Sequence, residues 1–198
     1  MILLCIFVEN LNPIIMSAKN SITTSHHIPF DEANRVANKL LKKPASASFG
    51  FYIVVAINTG RRIGDILSMT KTDFENGYKD FREQKTNKVI RLDFNSNIMD
   101  AYSYVKPIGE QVFTSTHRTT FSPQQINRKL KQVFKYKRKN ISSHSLRKSF
   151  GRRVYEKYGE TDSILNKLST MFNHSSTKIT RTYLDITQEE IADIYLNL

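Results

Sequence analysis

The sequence predicts a mainly α-helical domain with one small antiparallel β-sheet, an α+β fold of ordinary size. Three observations predict it. Apolar residues recur at three- and four-residue spacing in most segments after residue 30, the period of an amphipathic helix. One stretch instead carries two short β-prone runs, Phe81 to Gln84 and Val89 to Phe94, on either side of Lys85-Thr86-Asn87-Lys88, the layout of a hairpin. No internal repeat or low-complexity tract interrupts the 198 residues, and 39% hydrophobic with 11% aromatic content is enough for one core.

The elements follow in chain order. Met1 to Phe7 is apolar but reaches Glu9 without a preceding Lys or Arg. It is too short to span a bilayer and lacks the positive start of a signal peptide. Met16 is an alternative start, and the polar run Ser17 to His27 reads as an arm, so residues 1–29 are expected to add little to the core. From Asp31, Ala33, Val36, Ala37, Leu40 and Leu41 mark a helix, with acids in its first turn, Lys42-Lys43 in its last and Pro44 as its stop. Phe49 to Ile57 is apolar on all sides, as a buried helix would be, and Ile63 to Met69 is a further short helical piece. Asn76-Gly77 turns the chain into the hairpin. Helical patterns then occupy 96–105, 123–137, 143–158, 162–172, 176–184 and 188–197. Ser122 with Gln125 and Thr187 with Glu190 have capping-box spacing.

The charge is uneven. Thirty Lys and Arg against eighteen Asp and Glu leave a formal +12, with pI near 9.8. Between Gln111 and Tyr155 there is no acidic residue, while twelve basic ones occur, enough to account for the whole excess. Such a face suits a polyanion. Its densest part holds Arg128, Lys129, Lys131, Lys135, Lys137, Arg138 and Lys139, which are expected to touch backbone phosphates without reading bases. A single cysteine, Cys5, excludes an internal disulfide and offers no metal-ligand cluster, which is acceptable in a reducing cytoplasm.

Four separated segments carry residue types suited to one phosphate: Thr59-Gly60-Arg61-Arg62-Ile63-Gly64-Asp65, Lys85-Thr86-Asn87-Lys88, His144-Ser145-Leu146-Arg147-Lys148, and His174 with Tyr183 nine residues on. Guanidinium, ammonium and imidazole groups can donate to non-bridging oxygens or to a departing alkoxide. A tyrosine can attack phosphorus. Arg62 and Asp65, three apart, fall on one helix face, where a carboxylate would hold a donor rather than meet the anion. Taken alone this pair is a surface ion pair. His144 and Arg147 are also three apart, near a helix start that Ser142 or Ser143 could cap, with the apolar series Leu146, Phe150, Val154 pointing elsewhere. By that pattern Lys148 lies with His144 and Arg147 on a different face of the helix from the apolar series.

In order and spacing these segments resemble the catalytic domain of tyrosine recombinases, the phage integrase family, over residues 30–198. The resemblance implies a catalytic set of Arg62 (not Arg61), Lys85, His144, Arg147, His174 and Tyr183, supported by Asp65. Lys88 and Lys148 become backbone contacts. Two departures from the family pattern stand out: Asp65 where a glutamate is usual, and Asn173 where Phe172-Asn173-His174 replaces Leu-Gly-His. Asn tolerates a left-handed backbone, so that turn can survive. Nine tyrosines compete for the nucleophile's role, and the step from His174 selects Tyr183.

The implied activity is site-specific recombination of double-stranded DNA through a 3′-phosphotyrosyl intermediate, with no metal, ATP or other cofactor, in a cytoplasmic DNA-associated protein without membrane contact. Two alternatives are a type IB topoisomerase-like nicking and rejoining activity, and a DNA-binding module without catalysis. Family members usually carry an N-terminal helical clamp domain, which residues 1–30 are too few to form. The chain is thus naturally minimal, a catalytic fragment, or dependent on an accessory protein for its clamp. Ile191, Ile194, Tyr195 and Leu198 make an apolar stripe on the last helix. The stripe is able to pack on its own domain. In the family, however, the segment after the tyrosine commonly docks in a neighbouring protomer, so the resemblance implies exchange of the tail 186–198, with a monomer in free solution assembling on DNA as a dimer to tetramer. Target sequence, direction of recombination and the host element stay open.

Overall fold

The computed structural model describes residues 25–82, 89–137, 139–186 and 195–197. Among them, α2 (Ala47–Thr59) is the axis of the molecule and is buried along nearly all its length. Its sequence is apolar on every side, so neighbours must cover it all round. α1 (Phe30–Leu41), α5 (Ser96–Tyr102) and α7 (Ser143–Lys157) do so. Gly50 sets the closest approach: a Cβ there would lie 2.9 Å from the Ala37 carbonyl oxygen and the Leu41 nitrogen of α1. The main core also holds an aromatic group, with Phe51 and Phe74 ring centroids 5.0 Å apart, Phe51 and Phe113 5.6 Å, and Phe74 and Phe94 4.7 Å. Each such ring, fully buried, contributes about 1.5–3 kcal/mol from area alone.

A second, smaller core lies under α7, α8 (Asp162–Phe172) and α9 (Thr177–Leu184). It is formed by Phe150, Tyr155, Leu165, Leu168, Phe172, Leu184 and Ile186. The sheet is a two-stranded antiparallel ribbon, β1 (Tyr78–Arg82) with β2 (Val89–Asp93), in the register Tyr78 to Asp93 through Arg82 to Val89.

The elements match the periodicity closely, with physical reasons for each departure. Between α3 (Ile63–Leu67) and the ribbon lies a helix not foreseen, α4 (Lys71–Asn76). Its signal was present as Thr70-x-x-Asp73. The Thr70 hydroxyl accepts from the Asp73 N–H, and the Asp73 carboxylate accepts from the Thr70 N–H at 2.7 Å. α6 (Pro123–Val133) stops short of residue 137 because Phe134 leaves the helical conformation to enter the core, 3% exposed. Ser122 and Gln125 cap its start as expected. β1 starts at Tyr78, earlier than the β-prone run suggested.

Residues 25–29, assigned by sequence to the arm, are packed against α7. Ile28 is fully buried, and its N–H and carbonyl both meet the Ser149 hydroxyl. His26 donates its N–H to the Asn140 carbonyl. The rest of the arm, the hairpin tip 83–88, Arg138 and residues 187–194 and 198 lie outside the described residues. The tail's expected docking therefore goes with them. Tyr195 and Leu196 are exposed.

Gly50→Ala is expected to lower unfolding free energy by about 1–2 kcal/mol, because the clash with α1 backbone outweighs the helix-propensity gain. Gly64→Ala, whose Cβ would meet nothing within 4 Å, should be neutral or stabilising by about half a kcal/mol. Urea denaturation of both variants checks this, and equal stabilities would mean that α1 shifts without cost.

Candidate active site

Two chain reversals bring the sequence-separated boxes together. The first is at Gly60, which closes α2 in the left-handed conformation (φ 61°) with its N–H on the Ala56 carbonyl. A Cβ there would sit 2.3 Å from the Phe150 ring, so only glycine lets this corner lie against α7. The neighbouring Thr59 hydroxyl donates to the Val55 carbonyl at 2.8 Å. The next two residues then part. Arg61 lies over the Phe81 ring at 4.5 Å, drawn towards β1. Arg62 precedes α3, its N–H on the Asp65 carboxylate (3.3 Å) and its Nη2 on the Phe172 carbonyl (3.3 Å). Asp65 thus holds the backbone that aims Arg62.

α7 supplies the second set. Ser142 caps it, the hydroxyl accepting from the His144 N–H at 3.2 Å. Arg147 is 5% exposed; Nη1 donates to the Gly60 carbonyl, Nη2 to the Phe172 carbonyl at 3.0 Å, and the guanidinium lies 4.3 Å over the Phe172 ring. The second reversal, at Asn173 (φ 52°), ends α8 in the left-handed conformation expected of it. It leaves the Phe172 carbonyl to receive both arginines and turns His174 back, its Nδ1 3.0 Å from the buried Thr180 hydroxyl. α9 then carries Tyr183 into the same space, 5.2 Å from the His174 ring and 6.4 Å from the His144 ring between centroids. The phenol oxygen lies 3.4 Å from both His144 Nδ1 and the His144 carbonyl.

The electrostatics are those of an incompletely neutralised cationic site. Two guanidiniums share one carbonyl at the negative end of α8, partial compensation for two full charges. Burial lowers the Arg147 pKa to about 10, and the nearby Arg62 and Arg61 pull in the same direction, against Tyr183 and Asp65. Burial, then Arg147 and Arg62, depress both His144 and His174, with Lys148 adding to the effect at His144. Both imidazoles are therefore neutral at neutral pH. Burial raises the Tyr183 phenol to about 12 despite the opposing Arg147 and Arg62, with Asp185 adding to the rise. Such a phenol stays protonated until an acceptor takes its proton, and a neutral imidazole at 3.4 Å is such an acceptor.

The structure thus brings together Arg62, His144, Arg147, His174 and Tyr183, with Asp65 behind Arg62. Lys85 and Lys88 lie outside the described residues. Lys148 departs from expectation: it is 1% exposed and its ammonium meets Asp185 at 2.9 Å, so it is not on the DNA-facing surface. Of the basic run, Arg128, Lys131, Lys135, Lys137 and Lys139 are exposed, and Lys129 is half-buried, 5.6 Å over each of the Phe49 and Phe121 rings. Sequence reasoning missed Thr180, whose only signal was its place one helical turn before Tyr183.

Comparison with known proteins bears on the family and the fold. The Phage integrase family model matches residues 26–190. The probable integrase/recombinase YoeC of Bacillus subtilis (strain 168) is 33% identical over 153 residues, 73% of this chain and 81% of that protein. Among solved structures, the XerA recombinase superposes with a TM-score of 0.65 at 18% identity, over 91% of this chain and 65% of that one. A lambda integrase dimer bound to a COC' core site gives 0.59 at 20% identity, over 85% and 50%. XerH bound to its difH substrate before cleavage gives 0.58 at 18%, over 87% and 53%. The chain therefore spans about two thirds of XerA and about half of the other two.

The depressed histidines give a direct check. In DNA-free protein, NMR titration should show His144 and His174 protonating below the range of a free imidazole. Removing a nearby cation favours the protonated ring, so Arg147→Met should move both upward while leaving the burial contribution in place. Titrations that do not respond to Arg147→Met would mean that the guanidinium does not reach these rings electrostatically.

Proposed function

Since the chain belongs to the phage integrase family, we propose that it is a site-specific DNA recombinase that cleaves and rejoins strands through a 3′-phosphotyrosyl link at Tyr183. The observation that carries this reading is the pairing of Arg62 and Arg147 on the Phe172 carbonyl beside the Tyr183 hydroxyl. An arriving phosphodiester would meet two planar donors that a single carbonyl cannot neutralise.

The roles follow from chemistry and from the resemblance. Arg62, Arg147 and His174 bind the non-bridging oxygens and stabilise the charge that grows there in the transition state. Thr180 fixes the His174 ring through Nδ1, leaving Nε2 for the phosphate. The Tyr183 oxygen forms a bond to phosphorus as the bond to the 5′ oxygen breaks. His144 takes the phenol proton, and Lys85 gives a proton to the leaving 5′ oxygen. The products are a 3′-phosphotyrosyl diester and a 5′ hydroxyl. A 5′ hydroxyl from a second duplex reverses the step, so bond energy is conserved without metal or ATP.

Double-stranded DNA as partner is supported by the basic run and by the DNA complexes of the similar lambda integrase and XerH. Assembly on DNA as a dimer or tetramer, through the tail 186–198, and an accessory protein supplying a clamp are further parts of the proposal. No helix among the described residues is long and apolar enough to cross a membrane.

The target sequence is avoided as an obstacle by offering a pool of nicked suicide duplexes with a randomised centre and recovering adducts that survive denaturant. Wild type should yield adduct and Tyr183→Phe none, with DNA binding within about threefold, since only a hydroxyl is removed. Adduct from Tyr183→Phe would move the nucleophile to another tyrosine, and no adduct from wild type would favour a binding module. On the same duplexes, neutralising three of Arg128, Lys131, Lys135 and Lys137 should reduce the slope of log K against log salt, alike for all sequences. The reduction should be about 0.9 for each phosphate no longer neutralised. An unchanged slope would make this run a solvated face.

A further inference from the structure

Among the described residues the proposed reaction leaves one buried cationic side chain without a task. Lys148 is 1% exposed and follows Arg147 directly. Its Nζ lies 2.9 Å from Oδ2 of Asp185 and 5.3 Å from the centre of the Tyr183 ring. Asp185 ends α9 in the left-handed conformation, its N–H on the Arg181 and Thr182 carbonyls. One turn further along α7, Arg152 donates from Nη1 to the Leu184 carbonyl at 2.9 Å. Two cations of α7 therefore grip residues 184 and 185, the two that immediately follow Tyr183.

We propose that Lys148 and Asp185 form a lock that sets the Tyr183 hydroxyl in line for attack, making Lys148 a positioning residue for strand cleavage. The inference rests on the reading of Tyr183 as nucleophile. Stability alone is a poor reason for such a pair. Desolvating an ammonium is costly, and a well-packed apolar side chain in its place is often as stable or more so. What an ion pair adds is direction. Apolar packing under α9 would let the helix slide or rotate by an ångström, whereas a 2.9 Å contact to a fixed carboxylate does not. Neutralised by Asp185, the ammonium offers little net charge to the phenol, so its effect is on position. α7 thereby places both partners of the attack: Arg147 on one side of the helix holds the phosphate, and Lys148 on the next holds the tyrosine.

The test uses the full chain and the duplexes that give adduct with wild type, so the reading of Tyr183 is already decided before the lock is probed. Lys148→Met should slow single-turnover cleavage by roughly 30-fold or more, as expected for a nucleophile misplaced by about an ångström, with DNA affinity within about threefold. Asp185→Asn, at a partly exposed position and safer for folding, should act in the same direction. The double variant should be no slower than the worse single one, since both break the same ion pair. Lys148→Arg should restore most of the rate. A second arm isolates position from phosphate binding: with Tyr183→Phe as background, strand breakage by added hydrogen peroxide bypasses the tyrosine. Adding Lys148→Met there should change nothing. Cleavage at the wild-type rate by folded Lys148→Met or Asp185→Asn would overturn the assignment. So would additive losses in the double variant, or peroxide cleavage that falls with the lysine.

Discussion

The main-chain carbonyl of Phe172 is the point on which the rest of this structure depends. It accepts from Arg62 at 3.3 Å and from Arg147 at 3.0 Å, residues that reach it from distant parts of the chain. A hydrogen bond from a charged donor contributes about 1.5–3 kcal/mol, and here two fall on one oxygen at the negative end of α8. That offsets part of the repulsion between guanidiniums without cancelling their charge. The residual field is the site's working property: it adds to the burial that depresses both histidines and pulls against the burial that raises the phenol of Tyr183. A carboxylate in the place of that carbonyl would have satisfied the arginines and left nothing for a phosphate.

The carbonyl is available only because two backbone reversals and one hydrogen bond are in place. Asn173 turns the chain away from α8, Gly60 lets the end of α2 lie on Phe150, and the second Arg147 nitrogen ties Gly60 to the same guanidinium. The small core of Phe150, Leu165, Leu168, Phe172 and Leu184 lies directly beneath, so its packing sets the depth at which Arg147 and Tyr183 meet. Phe172 contributes twice, by its carbonyl and by the ring that Arg147 covers.

α7 organises the remainder. Its start carries His144 under the Ser142 cap, its middle carries Arg147 and Lys148 to two different partners, and Arg152 reaches the end of α9. The segment before α1 is fastened to the same helix, through Ile28 on Ser149 and Ser25 on Ser142. The chain that enters the domain therefore touches the residue that caps the His144 helix. Every position from Ser145 to Gly151 is buried.

The sequence by itself determined most of the helices, because periodicity and capping residues such as Ser122 with Gln125 report local geometry; α4 went unforeseen, and α6 ended early where Phe134 turns into the core. The resemblance to the phage integrase family, not spacing by itself, singled out Tyr183 among nine tyrosines and Arg62 over Arg61 as the expected catalytic residues. What the sequence did not contain is where main-chain atoms end up. The Phe172 and Gly60 carbonyls carry no residue signature, so their part in holding Arg147 emerged only when α2, α7 and α8 were folded together. Lys148 shows the same limit for a side chain. Amphipathic reading places a lysine beside His144 and Arg147 in solvent, because periodicity knows only its own helix. Its burial was decided by Asp185, thirty-seven residues away, arriving at the end of α9 with a charge to meet it. Residues 25–29 likewise look like part of a polar arm until Ser149 supplies partners for the Ile28 backbone. Local pattern reports what a segment is able to bury; whether a charge or a free backbone group is buried depends on a partner that only the tertiary structure brings.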